Sequence, residues 1–157
     1  MDRTLMREVR VFSDLEYLSR AAAEEVARVV NTAANNKGLC ALALAGGHTP
    51  RVLYQILAKE YRNRIPWPRV HLFWGDERYV PPDDADSNYA MAFETLISQV
   101  PVPPQNVHRI PTELSPPRRA AEAYEQLLRD FLAPSTIAGN STTFDLVLLG
   151  VGDDGHT

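Results

Sequence analysis

Three short apolar runs, each closed by a glycine and a polar segment, constrain this chain more than any other feature. They are LCALALA (39–45), VHLFW (70–74) and FDLVLLG (144–150). The first has the length and continuous apolar character of a strand buried on both faces, and the other two read as further strands of the same sheet. Between them lie segments with helical spacing. In the longest, Leu15, Leu18, Ala22, Val26, Val29 and Ala33 recur every three or four residues, one face of an amphipathic helix. Ser13 and Glu16 precede it at the capping-box spacing, and Gly38 offers its C-terminal stop. The alternating stretch EVRVF (8–12) predicts a further strand ahead of that helix.

Helices are expected after GGHTP, near 88–99 and across 115–133, with a short extended piece at 106–110. Strands alternating with helices predict an α/β fold. It is a Rossmann-like open, mostly parallel sheet with helices on both faces. The chain has 157 residues, enough for one domain and too few for two comfortable ones. Helical and strand patterns persist through the proline-rich middle, so residues 1–157 read as a single α/β domain.

Composition narrows the partners. The net charge of −4 speaks against nucleic acid or an acidic membrane surface, either of which usually needs a basic face. No apolar run approaches the ~20 residues of a membrane span, and no signal peptide is visible at the N-terminus. The single cysteine, Cys40, makes no internal disulfide and reads as a small core residue in a reducing, cytoplasmic setting.

In parallel sheets ligands bind outside the carboxyl ends of the strands. Three polar segments are expected to gather there: Gly46–Thr49, Gly75–Arg78 and Gly150–Thr157. The last contains a formal GxGxxG, but a dinucleotide fingerprint needs a following helix and an acid roughly 20 residues on. Two aspartates would also repel a pyrophosphate. Asp153, Asp154 and His156 are suitable metal donors, yet no further ligand stands at a recognised spacing, so no metal is expected. His156 can serve as a general base with Asp154 fixing its tautomer. The bland alternative, an exposed turn held by local aspartate hydrogen bonds, stands equally open at this point.

The turn AGGHTP (45–50) suggests Thr49 as N-cap and Pro50 at the first helical position, with free N–H groups suited to phosphate. His48 could touch a ligand there. In WGDER (74–78), Arg78 can grip a phosphate with two parallel hydrogen bonds, and Asp76 or Glu77 can hold the arginine. His71 and His108 lie in apolar runs and read as structural. Asp86 or Ser87 is placed to cap the next helix.

Taken together, ALAGGHTP (43–50), FWGDERYVPPDDADSNYAMA (73–92) and FDLVLLGVGDDGHT (144–157) resemble the 6-phosphogluconolactonase family, in order and rough spacing. That family belongs to the superfamily that includes glucosamine-6-phosphate deaminase. The DER and SN residues favour the lactonase branch. The resemblance implies the NagB/RpiA/CoA-transferase-like version of the α/β fold. It implies hydrolysis of 6-phospho-D-glucono-1,5-lactone to 6-phosphogluconate in the oxidative pentose phosphate pathway. No metal or organic cofactor is implied, and the partner is a small sugar-phosphate lactone, met by a monomer if the protein is full length, while a truncated chain could associate or aggregate.

His156 would take a proton from water and Asp154 would orient it. Backbone N–H groups at Gly46 and Gly47, with Arg78, would hold the phosphate or a neighbouring oxygen. His48, Thr49, Asp76, Glu77 and Asn88 complete the implied substrate- and phosphate-binding set. The family's usual turn is SGGSTP, so Ala45 and His48 replace two serines. Family members continue beyond the histidine, so this chain is expected to be the N-terminal portion of a longer domain. Two alternatives follow. One is an inactive fragment that at most binds sugar phosphates. The other is the deaminase or isomerase chemistry of the superfamily.

Overall fold

Five consecutive buried residues, Cys40–Leu44, form β1, the middle strand of a parallel sheet. The computed structural model describes residues 7–133, 143–152 and 155. On one side β1 pairs with β2 (Val70–Trp74), in a register that runs from Cys40 opposite Val70 to Leu44 opposite Trp74. On the other side it pairs with β3 (Leu146–Val147), Leu42 opposite Leu146. The helices are α1 (Leu15–Lys37), α2 (His48–Glu60), α3 (Asn88–Thr95) and α4 (Pro117–Leu132).

The two faces of β1 carry different side chains because successive residues point to opposite sides. Cys40, Leu42 and Leu44 enter the larger core with α1, α2 and α3. Ala41 and Ala43 join Phe73 and Tyr124 in a second core that Leu127, Leu128 and Phe131 of α4 extend. Helices therefore cover both faces, as the continuous apolar runs required. The Cys40 thiol is buried, and burial, then the Asp145 carboxylate, push it up to about 12.

The chain runs from β1 through α2 to β2, then through α3 and α4 back across β1 to β3. Strand order thus reverses at β1, and the carboxyl ends of β1 and β3 flank a topological switch point.

Several local expectations differ from the structure. Residues 8–12 form no strand, and Val9 and Val11 are 87% and 89% exposed. Alternation favours a pleat only where a partner edge satisfies the backbone, and the segment pairs with none of the three strands. Asp14, one residue after Ser13, caps α1: its carboxylate accepts the Tyr17 N–H at 2.9 Å, and Ser13 donates its hydroxyl to Asp14. The buried stripe of α1 is Ser19, Ala23, Val26, Ala27, Val30, Ala33 and Ala34, rotated from the expected face. Small residues line it, which lets α1 pack closely against its neighbours and leaves Leu18 exposed. Gly38 does terminate α1, at φ +86° with its N–H on Ala34 O.

The 144–150 strand shrinks to two residues, although Asp145 N–H to Ala41 O and Leu148 N–H to Ala43 O, both 2.9 Å, continue the contact. The 106–110 segment makes one parallel bridge, Leu72 with Val107. His71 and His108 satisfy each other, Nδ1 to Nε2 at 3.0 Å, against Phe73 and Phe131. Burial lowers both pKa values, which favours the neutral pair. Among the described residues no helix is long and apolar enough to cross a membrane.

Candidate active site

The site begins with two tyrosines. Tyr54 of α2 accepts the Ala45 N–H at 3.0 Å and donates to Ala45 O at 2.7 Å, fixing the chain just past β1. Tyr124 of α4 does the same at the end of β2, with Trp74 N at 2.9 Å and Trp74 O at 3.1 Å. Burial raises both phenols, Tyr124 up to about 12, so both stay protonated donors. Sequence spacing places both residues on helix faces. It does not reveal that their hydroxyls clamp strand ends.

Past the first clamp, Gly47 takes φ +103° and turns the chain directly into α2. A residue with a Cβ would be strained there. The helix therefore starts at His48, with Gly47 as N-cap and no side-chain cap. The expectation of Thr49 as cap and Pro50 as first helical residue is off by two positions, because the glycine alone makes the turn. The N–H groups of His48 and Thr49 lie in the first turn, where an α-helix has no partners of its own to offer.

Past the second clamp, Gly75 N–H reaches Leu44 O at 3.2 Å and Asp76 to Arg78 follow. Glu77 turns its carboxylate toward the start of α3. It accepts N–H groups from Asn88 at 2.6 Å and Tyr89 at 2.8 Å, with Ser87 Oγ at 3.1 Å and its neighbour Arg78 N at 2.8 Å. Ser87 is the N-cap of α3, accepting the Ala90 N–H. Glu77 thus joins the 75–78 loop to α3, and Asn88 is carried to the glycine turn. Asn88 Nδ2 donates to Asp76 O at 3.2 Å and Oδ1 at 3.4 Å. A Cβ built on Gly46 would lie 1.9 Å from Asn88 Oδ1, so only glycine fits beside this side chain.

Replacing Glu77 by alanine strips the acceptor from the N–H groups of Asn88 and Tyr89. The expected cost is roughly 2–4 kcal/mol, a fall of about 5–15 °C in the unfolding midpoint. Thermal melts of Glu77→Ala and Glu77→Gln check it, the glutamine losing less because it keeps one oxygen acceptor.

Gly46, Gly47, His48, Thr49, Asp76, Arg78 and Asn88 all line one cleft of about 310 Å³, closed on the far side by Leu148–Gly152 after β3. Glu77 is not in its wall, since its carboxylate is engaged with α3. Asp153, Asp154 and His156 lie outside the described residues. Gly155 has φ +80° and donates its N–H to Gly152 O, a residue of the cleft wall, at 2.9 Å. Among the described residues no group of three or more histidine, cysteine, aspartate or glutamate side chains could hold a metal.

Fold and cleft define a doubly wound α/β protein with a cleft at its switch point, where the first-turn N–H groups of α2 have no helical partners. A profile of the family described as glucosamine-6-phosphate isomerases/6-phosphogluconolactonase matches residues 13–157, and the chain belongs to that family. It is 41% identical over 150 residues to a 6-phosphogluconolactonase of Synechocystis, covering 96% of this chain and 60% of the relative. A crystal structure of the 6-phosphogluconolactonase of Thermotoga maritima aligns with TM-score 0.76 at 36% identity, over 88% of this chain and 57% of that one. The Trypanosoma brucei 6-phosphogluconolactonase aligns with TM-score 0.78 at 32% identity, over 94% and 60%. The chain therefore spans between about 46% and 62% of the length of the curated relatives it matches.

Proposed function

We propose that this chain carries sugar-phosphate lactonase chemistry: hydrolysis of 6-phospho-D-glucono-1,5-lactone to 6-phosphogluconate, a step of the oxidative pentose phosphate pathway. The observation that carries the reading is convergence. The glycine turn after β1, the Asp76–Arg78 loop after β2 and the glycine turn after β3 meet in one cleft, and relatives named for this activity share the fold. The protein would act in the cytoplasm on a freely diffusing substrate, as a monomer where it is full length.

The roles follow from the chemistry each group offers. The N–H groups of the glycine turn and the Arg78 guanidinium hold the phosphate, with His48 and Thr49 beside it. Asp76 and Asn88 face the sugar. His156 accepts a proton from water as its oxygen bonds to the lactone carbonyl carbon. When the tetrahedral intermediate collapses, the bond from that carbon to the ring oxygen breaks. The imidazolium returns the proton to the departing oxygen. Asp154 keeps the imidazole in the productive tautomer. Glu77 acts only through Asn88 and the loop that carries Arg78.

The test is substrate choice. The 157-residue chain is given freshly prepared lactone at mildly acidic pH, where spontaneous opening is slow, and glucosamine 6-phosphate in parallel. Lactone hydrolysis above background with no ammonia release is expected. Ammonia release without lactone hydrolysis would replace the reading with deaminase chemistry. Tight binding of 6-phosphogluconate with no turnover of either would reduce it to a sugar-phosphate-binding fragment.

A further inference from the structure

The cleft opens into a second lobe of about 500 Å³, sharing Gly47, His48, Arg78 and Asn88 with the first. Its other walls include Arg51 from the first turn of α2 and Asp86 before α3. Arg51 belongs to no motif in the sequence and stands three residues beyond His48, on the same helical face. Its ion pair is with Glu94 of α3, Nη1 to Oε2 at 3.4 Å, and the Glu94 side chain is 73% exposed. A charge-assisted bond is normally shorter, and an exposed pair of this kind contributes little. Across the lobe, Arg78 is exposed and makes no ion pair among the described residues. Among the described residues, two guanidinium groups and an imidazole thus border this space, with Asp86 the one carboxylate.

We propose that Arg51 is a second phosphate-binding arginine. It exchanges its loose partner Glu94 for the phosphate of the sugar, which sits in this lobe between Arg51 and Arg78. The ring extends into the first lobe toward Gly150–Gly152. The proposal rests on the sugar-phosphate reading above and adds to it a residue and a competitor. Glu94 and the phosphate draw on the same donor, so substitutions at Arg51 and Glu94 act in opposite directions. An unphosphorylated sugar leaves the Arg51–Glu94 pair in place and is insensitive to both.

Calorimetric titration of the full 157-residue chain with 6-phosphogluconate, gluconate and inorganic phosphate tests this. Arg51→Ala is expected to weaken 6-phosphogluconate roughly ten- to hundredfold, with Arg51→Lys in between and gluconate unchanged. Glu94→Gln is expected to tighten 6-phosphogluconate about two- to fivefold. Unfolding midpoints near the parent value identify variants that are folded. Unchanged phosphate-sugar affinity in Arg51→Ala, or weaker binding in Glu94→Gln, overturns the proposal. If lactone turnover persists in that case, the lactonase reading survives without it. If the chain binds glucosamine 6-phosphate in place of 6-phosphogluconate and Arg51→Ala weakens that, the lactonase reading fails and the role of Arg51 stands. A chain that binds no sugar phosphate overturns both.

Discussion

Gly46→Ala is expected to weaken 6-phosphogluconate binding by about a hundredfold, the scale of loss from a ~1 Å misplacement at a site. The added methyl would lie 1.9 Å from Asn88 Oδ1 and 2.3 Å from its Cγ. The backbone of Asn88 cannot retreat, because its N–H is held by Glu77 at 2.6 Å. The side chain must therefore swing away from Asp76, losing its contacts to Asp76 O and Oδ1. The glycine turn itself is held from behind by Tyr54, so it has little room to give. Overpacking of this kind costs roughly 1–3 kcal/mol of stability. Titration and a thermal melt read the two effects together. A double variant, Gly46→Ala with Asn88→Gly, separates them: removing the clashing side chain should restore most of the stability and little of the binding. Full binding in the single variant would show that neither Asn88 nor the backbone at Gly46 touches the ligand.

The coarse architecture was legible because it rests on patterns the sequence states outright. The short length of the run Cys40–Leu44 and the glycines that follow it favour a doubly covered strand ending in a turn. The parallel order and the gathering of the strand ends follow from those facts. What escaped was decided by pairs distant in sequence. Val9 and Val11 alternate like a strand but find no edge. Leu18 looks like core, yet the close approach of α1 selects its alanines instead. Glu77 looks like a ligand contact beside Arg78. Its carboxylate instead finds the N–H groups of α3, eleven and twelve residues on. Tyr54 and Tyr124 gave no signal as clamps, since a hydroxyl's partner depends on which strand end passes nearby. Arg51 lies in no motif and gains meaning only from the lobe it borders.

His156→Ala is expected to lower lactone hydrolysis about 10²–10⁴-fold, the usual contribution of a positioned general base. The proposed imidazole acts on water only as the transition state forms, so the loss belongs in kcat. Affinity for 6-phosphogluconate should barely move, because the proposed phosphate contacts come from the glycine turn, Arg51 and Arg78, all on other elements. That split distinguishes a base from a binding residue. The pH profile supplies a second readout: a neutral imidazole is needed to take the proton, so activity of the parent chain falls on the acidic side as the ring is protonated. In the alanine variant that limb should vanish along with the rate. Asp154→Asn should keep the ligand affinity and lower kcat, since a misoriented imidazole is still present but offers the wrong nitrogen. If His156→Ala retains full turnover, the base lies elsewhere. Asp76, the carboxylate on the cleft wall beside Asn88, is then the group to replace next.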